Sequence, residues 1–450
     1  MKIHTTYSAK INKSDRCFTD TAQLYRSAVG FFIDVLLKES HILDEHTSQK
    51  SRVNAVETIT VPTASHPDVT YDFSRDFYKF PCYLRRAAIA EAIGKVSSYR
   101  SNLANWEALP DEEKARCRKP GLPVPGFVYP VLYKDNMYKQ TGLYTFKVKV
   151  WIHNTWDWVT VRLRKSDMDY ISRRCGSRTK MSPTLRKRGK NWYLDFPFEE
   201  DVQLTDTGIF ERTIISVDLG INNAATVTAM TSDGTVIGRH FLKLPEENDS
   251  LMHAVNRIKK AQQHGARKMP RLWAKANGIN DDIAAKTANY IIDIAILYNA
   301  DVIVFEHLDV QGKKRGSKKQ RLHLWKSQYV QAMVTDKAHR CSMRVSRVNA
   351  WGTSRLAYDG SGAVLRGDKS EKTGGNYSLC EFTTGKVYHC DLSASYNIGA
   401  RYFIREILKS LPETVRLAVQ AKVPELAKRS TCTWSSLNSL NAELQTLMAA

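Results

Sequence analysis

The spacing of apolar positions divides the chain into helical and strand-like stretches. Residues 2–10 alternate enough to predict a strand, and 19–39 carry Leu24, Val29, Phe32, Val35 and Leu36 at intervals that predict a helix. Residues 40–67 are polar, without a strong period, and predict loop or weak structure. A second long helix is predicted over 83–106, where Leu84, Ala88, Ile89, Ala92, Ile93 and Val96 recur at helical spacing. The run Pro120-Gly121-Leu122-Pro123-Val124-Pro125-Gly126 then punctuates the chain and marks a domain boundary. Beyond it, 143–150, 155–163 and 191–198 alternate apolar with polar or basic residues and predict strands of a small β-barrel.

In the second half, the β-branched run Ile214-Ile215-Ser216-Val217 ends in Asp218, Gly220 supplies a turn, and a second strand follows with its own partner across Thr231-Ser232-Asp233-Gly234. Residues 249–263 and 281–299 predict helices joined by a basic bridge over 265–275. The apolar run Val302-Ile303-Val304-Phe305 predicts a buried strand that ends in Glu306, and 311–321 are too polar and glycine-containing for a core element. A helix over 322–341 and a strand over 343–349 follow. Asp391 then stands where a helix begins that runs through Leu408. Any one of these acids, taken singly, reads better as a cap, a turn residue or a solvated strand end. Three of them at element ends, far apart in sequence, suggest one site. Carboxylates in that arrangement suit divalent-metal chemistry on phosphodiesters, because a hard cation takes oxygen ligands and a pair of ions ~3.5–4 Å apart can activate water and stabilise the leaving oxygen.

Composition narrows the partner. With 450 residues and 42% hydrophobic content the chain is long enough for two or three domains with a sizeable core. Lys and Arg number 67 against 46 Asp and Glu, a formal charge of +21, so a polyanion is the expected partner, nucleic acid before membrane. No run approaches the ~20 apolar residues that span a bilayer. The start Met1-Lys2-Ile3-His4-Thr5 lacks a signal-peptide apolar region, which points to a prokaryotic cytoplasm or nucleoid. The eight cysteines are scattered and predict free thiols. Basic clusters at 162–165, 173–180 and Arg186-Lys187-Arg188-Gly189-Lys190 interleave with Trp151, Trp156, Trp158, Trp192 and Tyr193. Charge and stacking groups together suit a nucleic-acid backbone with unpaired bases, although solvated charge and barrel core explain any single cluster as well.

The segments 216–226, 303–308 and 391–398 resemble the three RuvC motifs of TnpB-type transposon nucleases and the compact type V CRISPR effectors related to them. The resemblance implies an α/β RNase H-like (RuvC) nuclease domain preceded by a wedge-like β-barrel that a helical recognition domain interrupts. In that order the first barrel strand lies in 1–15, the helical recognition domain in 16–122 and the rest of the barrel in 123–210. RuvC motifs I and II occupy 211–349 with a helical insert at about 250–299, a target nucleic-acid-binding insert 350–390, the motif III helix 391–408 and a C-terminal tail 409–450. Carried over residue by residue, the catalytic acids that bind Mg²⁺ (or Mn²⁺) are Asp218, Glu306 and Asp391. The implied activity is RNA-guided cleavage of DNA at a single RuvC site, with a guide RNA and a double-stranded target carrying a short flanking motif as partners; a homodimer is left open. Arg267 and Lys268 fall in a region that touches the guide–target duplex in the family. Lys313, Lys314 and Arg315 fall in a segment that can act there as a lid, a passive basic loop being the alternative, while Arg186, Lys187 and Arg188 flank the barrel.

The family pattern breaks between Asn349 and Asp391, where most relatives carry paired Cys-x-x-Cys zinc knuckles. Thr353-Ser354-Arg355 matches the approach to the first knuckle, but Leu356-Ala357-Tyr358 stands where cysteine is expected, and Cys380 and Cys390 are single. A structural zinc site wants four thiolate or imidazole ligands. Cys341, Cys380, His389 and Cys390 make only an irregular set, so zinc is not expected. Arg355 is the candidate to hold a phosphate of the strand being cut, as a forked and permanently charged donor. Two alternatives to guided cleavage stand beside it. A guide-directed DNA-binding repressor is disfavoured by the three intact acids, and an unguided structure-selective RuvC-type nuclease leaves the long basic N-terminal half without a purpose.

Overall fold

Asp15 opens the first long helix by accepting a hydrogen bond from the Cys17 amide at 3.1 Å, satisfying one of the unpaired donors of a helix start. This helix, α1 (Arg16–Lys38), buries Phe18, Ala22, Tyr25, Val29, Phe32 and Leu36 along one stripe. Residues 40–67, expected to be loop, contain a second helix, α2 (Gln49–Thr60), capped by Ser48 through the Ser51 amide at 3.1 Å. It buries only Val53, Val56 and Thr60, and so thin an apolar edge on a polar helix leaves little periodic signal. The other long helix, α3 (Cys82–Glu107), lies where the pattern predicted and packs on α1. The computed structural model describes residues 1–13, 15–64, 66–308, 325–428 and 430–449. It divides into two compact units, Lys2–Glu200 and Asp201–Ala450, the second joined by Met1; the Pro- and Gly-rich stretch 120–126 lies inside the first.

The first unit also holds two sheets. One has the order β1 (Lys2–Lys10), β7 (Asn191–Asp201), β5 (Thr179–Lys180), with β6 (Thr184–Arg188) also on β7; the other is β2 (Tyr138–Gln140), β3 (Thr145–Ile152), β4 (Thr155–Arg162). A helix, α4 (Lys165–Cys175), connects β4 to β5. Bridges at Ile11–Leu163 and Val131–Thr184 tie further segments of the chain together. Phe146 of β3 and Phe196 of β7 meet with ring centroids 5.7 Å apart, and Phe18 of α1 meets Trp192 at 5.8 Å, so one apolar core serves both sheets and the helices.

In the second unit β8 (Thr213–Asp218), β9 (Ala225–Thr231) and β10 (Val236–Leu242) form an antiparallel meander, while β11 (Val302–His307) and β12 (Arg344–Asn349) run parallel to β8 on its other side. The order β10-β9-β8-β11-β12 with these directions is that of an RNase H-like sheet. The crossover from β10 to β11 carries α5 (Pro245–Gln263) and α6 (Pro270–Leu297), and α7 (Ser327–Arg340) precedes β12. Helix α6 starts earlier than the periodicity indicated and takes up part of the basic bridge, because Pro270 can open a helix where its missing N–H costs nothing. Strand alternation sorts the core. Ile215, Val217, Ile303 and Phe305 face α6 and α7, whereas Ile214, Val302 and Val304 face α8 (Cys390–Ser410). Gly399 lets α8 lie close to the sheet, since a Cβ there would meet Ser216 Oγ and Met230 Sδ at 3.2 Å.

The stretch 409–450, which had no sharp pattern, completes this core rather than trailing from it. Val419 of α9 (Glu413–Lys422) and Leu437, Leu440 and Leu444 of α10 (Trp434–Ala449) are buried with α8. Residues 350–390 carry a three-stranded sheet, β13 (Leu365–Arg366), β14 (Leu379–Glu381) and β15 (Val387–His389), that leads directly into α8. Among the described residues no helix is long and apolar enough to cross a membrane.

Candidate active site

The sheet register brings two of the predicted acids together. On the parallel strands β8 and β11 Val217 pairs with Phe305, so the next residues, Asp218 and Glu306, stand side by side at the C-terminal ends of the two strands, still paired on their outer sides with Thr226 and Val348. The chain after Asp218 must turn sharply, and Gly220 permits it: a Cβ there would lie 2.7 Å from the Asn223 carbonyl oxygen. Asp391 arrives from a third element, the first turn of α8, where the helix dipole favours a negative charge. The buried Asn223 side chain donates to Asp391 Oδ2 at 2.8 Å and links the turn after β8 to the start of α8.

The electrostatics match this convergence. Burial, then the Glu306 and Asp391 carboxylates, push Asp218 well above the usual carboxylate range, and the Arg366 guanidinium pulls the other way. Burial also raises Glu306, opposed by a hydrogen bond from the Thr353 hydroxyl and by the charge of Arg401. Like charges crowded at the end of a sheet are costly unless a cation or proton joins them. The donors are carboxylate oxygens, which fit a hard cation and not a soft one. Among the described residues no group of three His, Cys, Asp or Glu side chains is gathered tightly enough to hold a metal ion, and Glu306 and Asp391 are each turned to a protein partner, Thr353 and Asn223.

A set of buried polar residues that the sequence reading passed over holds the surrounding loops. Asn397 donates to the carbonyls of Thr353 and Leu356, both at 3.0 Å, and accepts from the Trp434 amide at 3.1 Å. Arg401, one turn further along α8, donates to the carbonyls of Asn349, Trp351, Cys432 and Ser430 at 2.6 to 3.0 Å. Gln331 donates to the Glu306 carbonyl at 2.9 Å and accepts from Arg347 Nε at 3.0 Å. Asn223 and Asn397 lay inside the motif segments, but nothing in a linear string says which loop carbonyl an amide will meet.

The other predicted contacts are placed less uniformly. Arg355 is exposed. The cation whose charge bears on Asp218 is Arg366, a half-buried residue on β13 that donates to the Ser354 carbonyl. It was missed because it sits in a glycine-rich stretch without periodicity. Arg267 and Lys268 are exposed in the connection between α5 and α6, while Lys313, Lys314 and Arg315 lie outside the described residues. Arg186 and Arg188 belong to the first unit and reach Asp195, itself buried, at 3.3 and 2.9 Å; Lys187 lies over the Trp192 ring at 5.7 Å. Cys380 and Cys390 are buried with hydrogen-bonded thiols, and that bond draws Cys380 below and pushes Cys390 above the ordinary thiol value.

Comparison with known proteins adds three findings. Residues 5–152 match the family model described as the Aq_aa04 family. Protein aq_aa04 of Aquifex aeolicus (strain VF5) is 33% identical over 128 residues, covering 26% of this chain and 71% of that protein, and the TnpB-like protein aq_aa05 of the same organism is 28% identical over 242 residues, 48% of this chain and 76% of that one. Among solved structures, the mini-RNA-guided endonuclease CRISPR-Cas_phi3 aligns with a TM-score of 0.42 at 11% identity, covering 88% of this chain and 92% of that one.

Proposed function

The chain belongs to the Aq_aa04 family and is TnpB-like, and on that premise we propose that it is an RNA-guided DNA endonuclease with a single RuvC-type site. What supports the reading is that Asp218 and Glu306 stand at the ends of adjacent parallel strands and Asp391 in the first turn of α8, with the Glu306 and Asp391 carboxylates both raising Asp218. In this reading Asp218, Glu306 and Asp391 would draw together on Mg²⁺ or Mn²⁺, which would supply Lewis-acid and water-activating chemistry for phosphodiester hydrolysis. Thr353 and Asn223 orient two of the acids, and Arg366 offers a cation beside them for a phosphate oxygen. Target choice belongs to guide RNA pairing and a short flanking duplex motif, and the surplus of Lys and Arg contacts the backbones.

The test is cleavage of a double-stranded DNA matched to the RNA that co-purifies with the protein, run beside a gel shift on the same DNA. Cutting that requires Mg²⁺ or Mn²⁺, stops in EDTA and is lost in Asp218→Ala while binding persists supports the proposal. Binding without cutting under any divalent ion would replace it with the repressor reading. Cutting that needs no RNA would replace it with an unguided nuclease.

A further inference from the structure

A second candidate site lies away from the acids, on the outer side of α8. Here α8, α9 and the segment after α9 enclose a recess of about 320 Å³, near the lower end of the ~300–1,000 Å³ range of small-ligand pockets. Its floor is aliphatic, from Ile404, Leu408 and Leu426, and its rim carries Arg405, Lys409 and Arg416. Glu406 is shared by Arg405 at 2.7 Å and Lys409 at 3.2 Å, and Arg416 meets Glu413 at 3.4 Å. Arg401 also lines the recess, but its donors are taken up by four carbonyl oxygens and its charge already bears on Glu306, so it is not part of the binding rim. Three cations, Arg405, Lys409 and Arg416, therefore stand against two carboxylates, Glu406 and Glu413, at the edge of an apolar hollow.

We propose that this recess binds one nucleotide unit of a nucleic-acid strand, with the phosphate at the Lys409–Arg416 rim and the sugar and base edge on the Ile404–Leu408–Leu426 floor. An anion alone gains little from an aliphatic floor, and an apolar ligand alone gains little from the cations; a nucleotide uses both. Arg405 already donates to Glu406, Arg347 and Ser346, so it contributes charge, whereas Lys409 and Arg416, with exposed side chains and one long ion pair each, have donors to offer. The residues that the proposal uses, Lys409, Arg416, Ile404, Leu408 and Leu426, are not among the acids of the proposed cleavage centre.

The experiment titrates adenosine 5′-monophosphate, adenosine and inorganic phosphate separately into the full-length protein by calorimetry at low salt, in EDTA so that the acids stay out of the readout. The nucleotide is expected to bind at least about 10-fold tighter than either fragment, the signature of two subsites used together. Lys409→Glu and Arg416→Glu should each weaken it about 5-fold or more, and Leu426→Trp, which fills the floor, should leave the nucleotide no better than phosphate. Photolabelling with 8-azido-AMP should mark peptides within 401–432. Equal binding of nucleotide and phosphate by the parent protein, unchanged affinity in both charge-reversed variants, or labelling confined to other peptides overturns the proposal. Thermal unfolding of each variant checks folding; if Arg416→Glu fails to fold, Lys409→Glu, 58% exposed at its side chain, carries the charge test.

Discussion

Among the described residues, the unit Lys2–Glu200 buries few polar side chains, Thr21, Thr60 and Asp195, whereas Asp201–Ala450 buries Ser216, Asn223, Thr228, Thr353, Ser395, Asn397 and Arg401 among others. Buried polar groups are costly unless hydrogen-bonded, and in the second unit most of those named are spent on fixing the loops that bring the acids together. The first unit instead keeps an aromatic and aliphatic core and carries its cations outside, as Arg186, Lys187 and Arg188 do. On the proposed function, the second unit would draw its chemistry from internal architecture and the first its binding from a charged surface on an apolar frame. Substitutions of the acids and of the buried polar residues should therefore act on catalysis or stability, and those of exposed cations mainly on affinity.

The largest effect should come from the acids. Asp218→Ala, Glu306→Ala and Asp391→Ala are each expected to lower cleavage by about 10³-fold or more, nearly as far as the triple variant, because ligands of one shared centre act as a unit. Single-turnover cleavage with the co-purified RNA measures this, and a parental rate in Asp218→Ala would remove that residue from the site.

Next, Asn397→Ala should cost about 3 kcal/mol, since it strands two carbonyls and an amide in the interior. Arg188→Ala in the first unit should cost about 1–2 kcal/mol, because Arg186 still faces the buried Asp195. Urea unfolding of the two variants decides whether the buried polar network outweighs the half-exposed ion pair; equal losses would erase the contrast.

A smaller effect depends on pH. Asp218 is raised in the folded state by burial and by Glu306 and Asp391, so in metal-free protein its contribution to stability is fully present below the ordinary carboxylate pKa, ~3.9, and is lost as pH rises through the raised folded value. In EDTA, Asp218→Asn should therefore unfold at a higher temperature than the parent near neutral pH, with the gap closing as pH falls toward 4. A gap that widens toward acid would show that Asp218 is stabilised, not strained, as an anion.

The smallest effect belongs to the surface. Lys187→Ala should weaken nucleic-acid binding about 2- to 5-fold and reduce the salt slope of affinity by up to about 1, with cleavage at saturating protein unchanged. A loss of cleavage beyond that of affinity would mean that the first unit does more than bind.

The sequence by itself determined the elements whose signal is local. Long apolar stripes announced α1 and α3, β-branched runs announced β8 and β11, and a carboxylate at the end of each run marked Asp218 and Glu306. It could not reveal α2, whose buried edge is three residues, nor the part that 409–450 plays in the core, because those contacts are made with elements remote in sequence. Only the tertiary structure decided that parallel register sets Asp218 beside Glu306, that Arg366 and not Arg355 is the cation acting on Asp218, and that Thr353, Asn397 and Arg401 hold the loops. The physical reason is the range of the interactions: periodicity and turn chemistry act within a few residues, whereas a buried hydrogen bond or a shifted carboxylate depends on partners that the fold brings from more than forty to more than a hundred and fifty positions away.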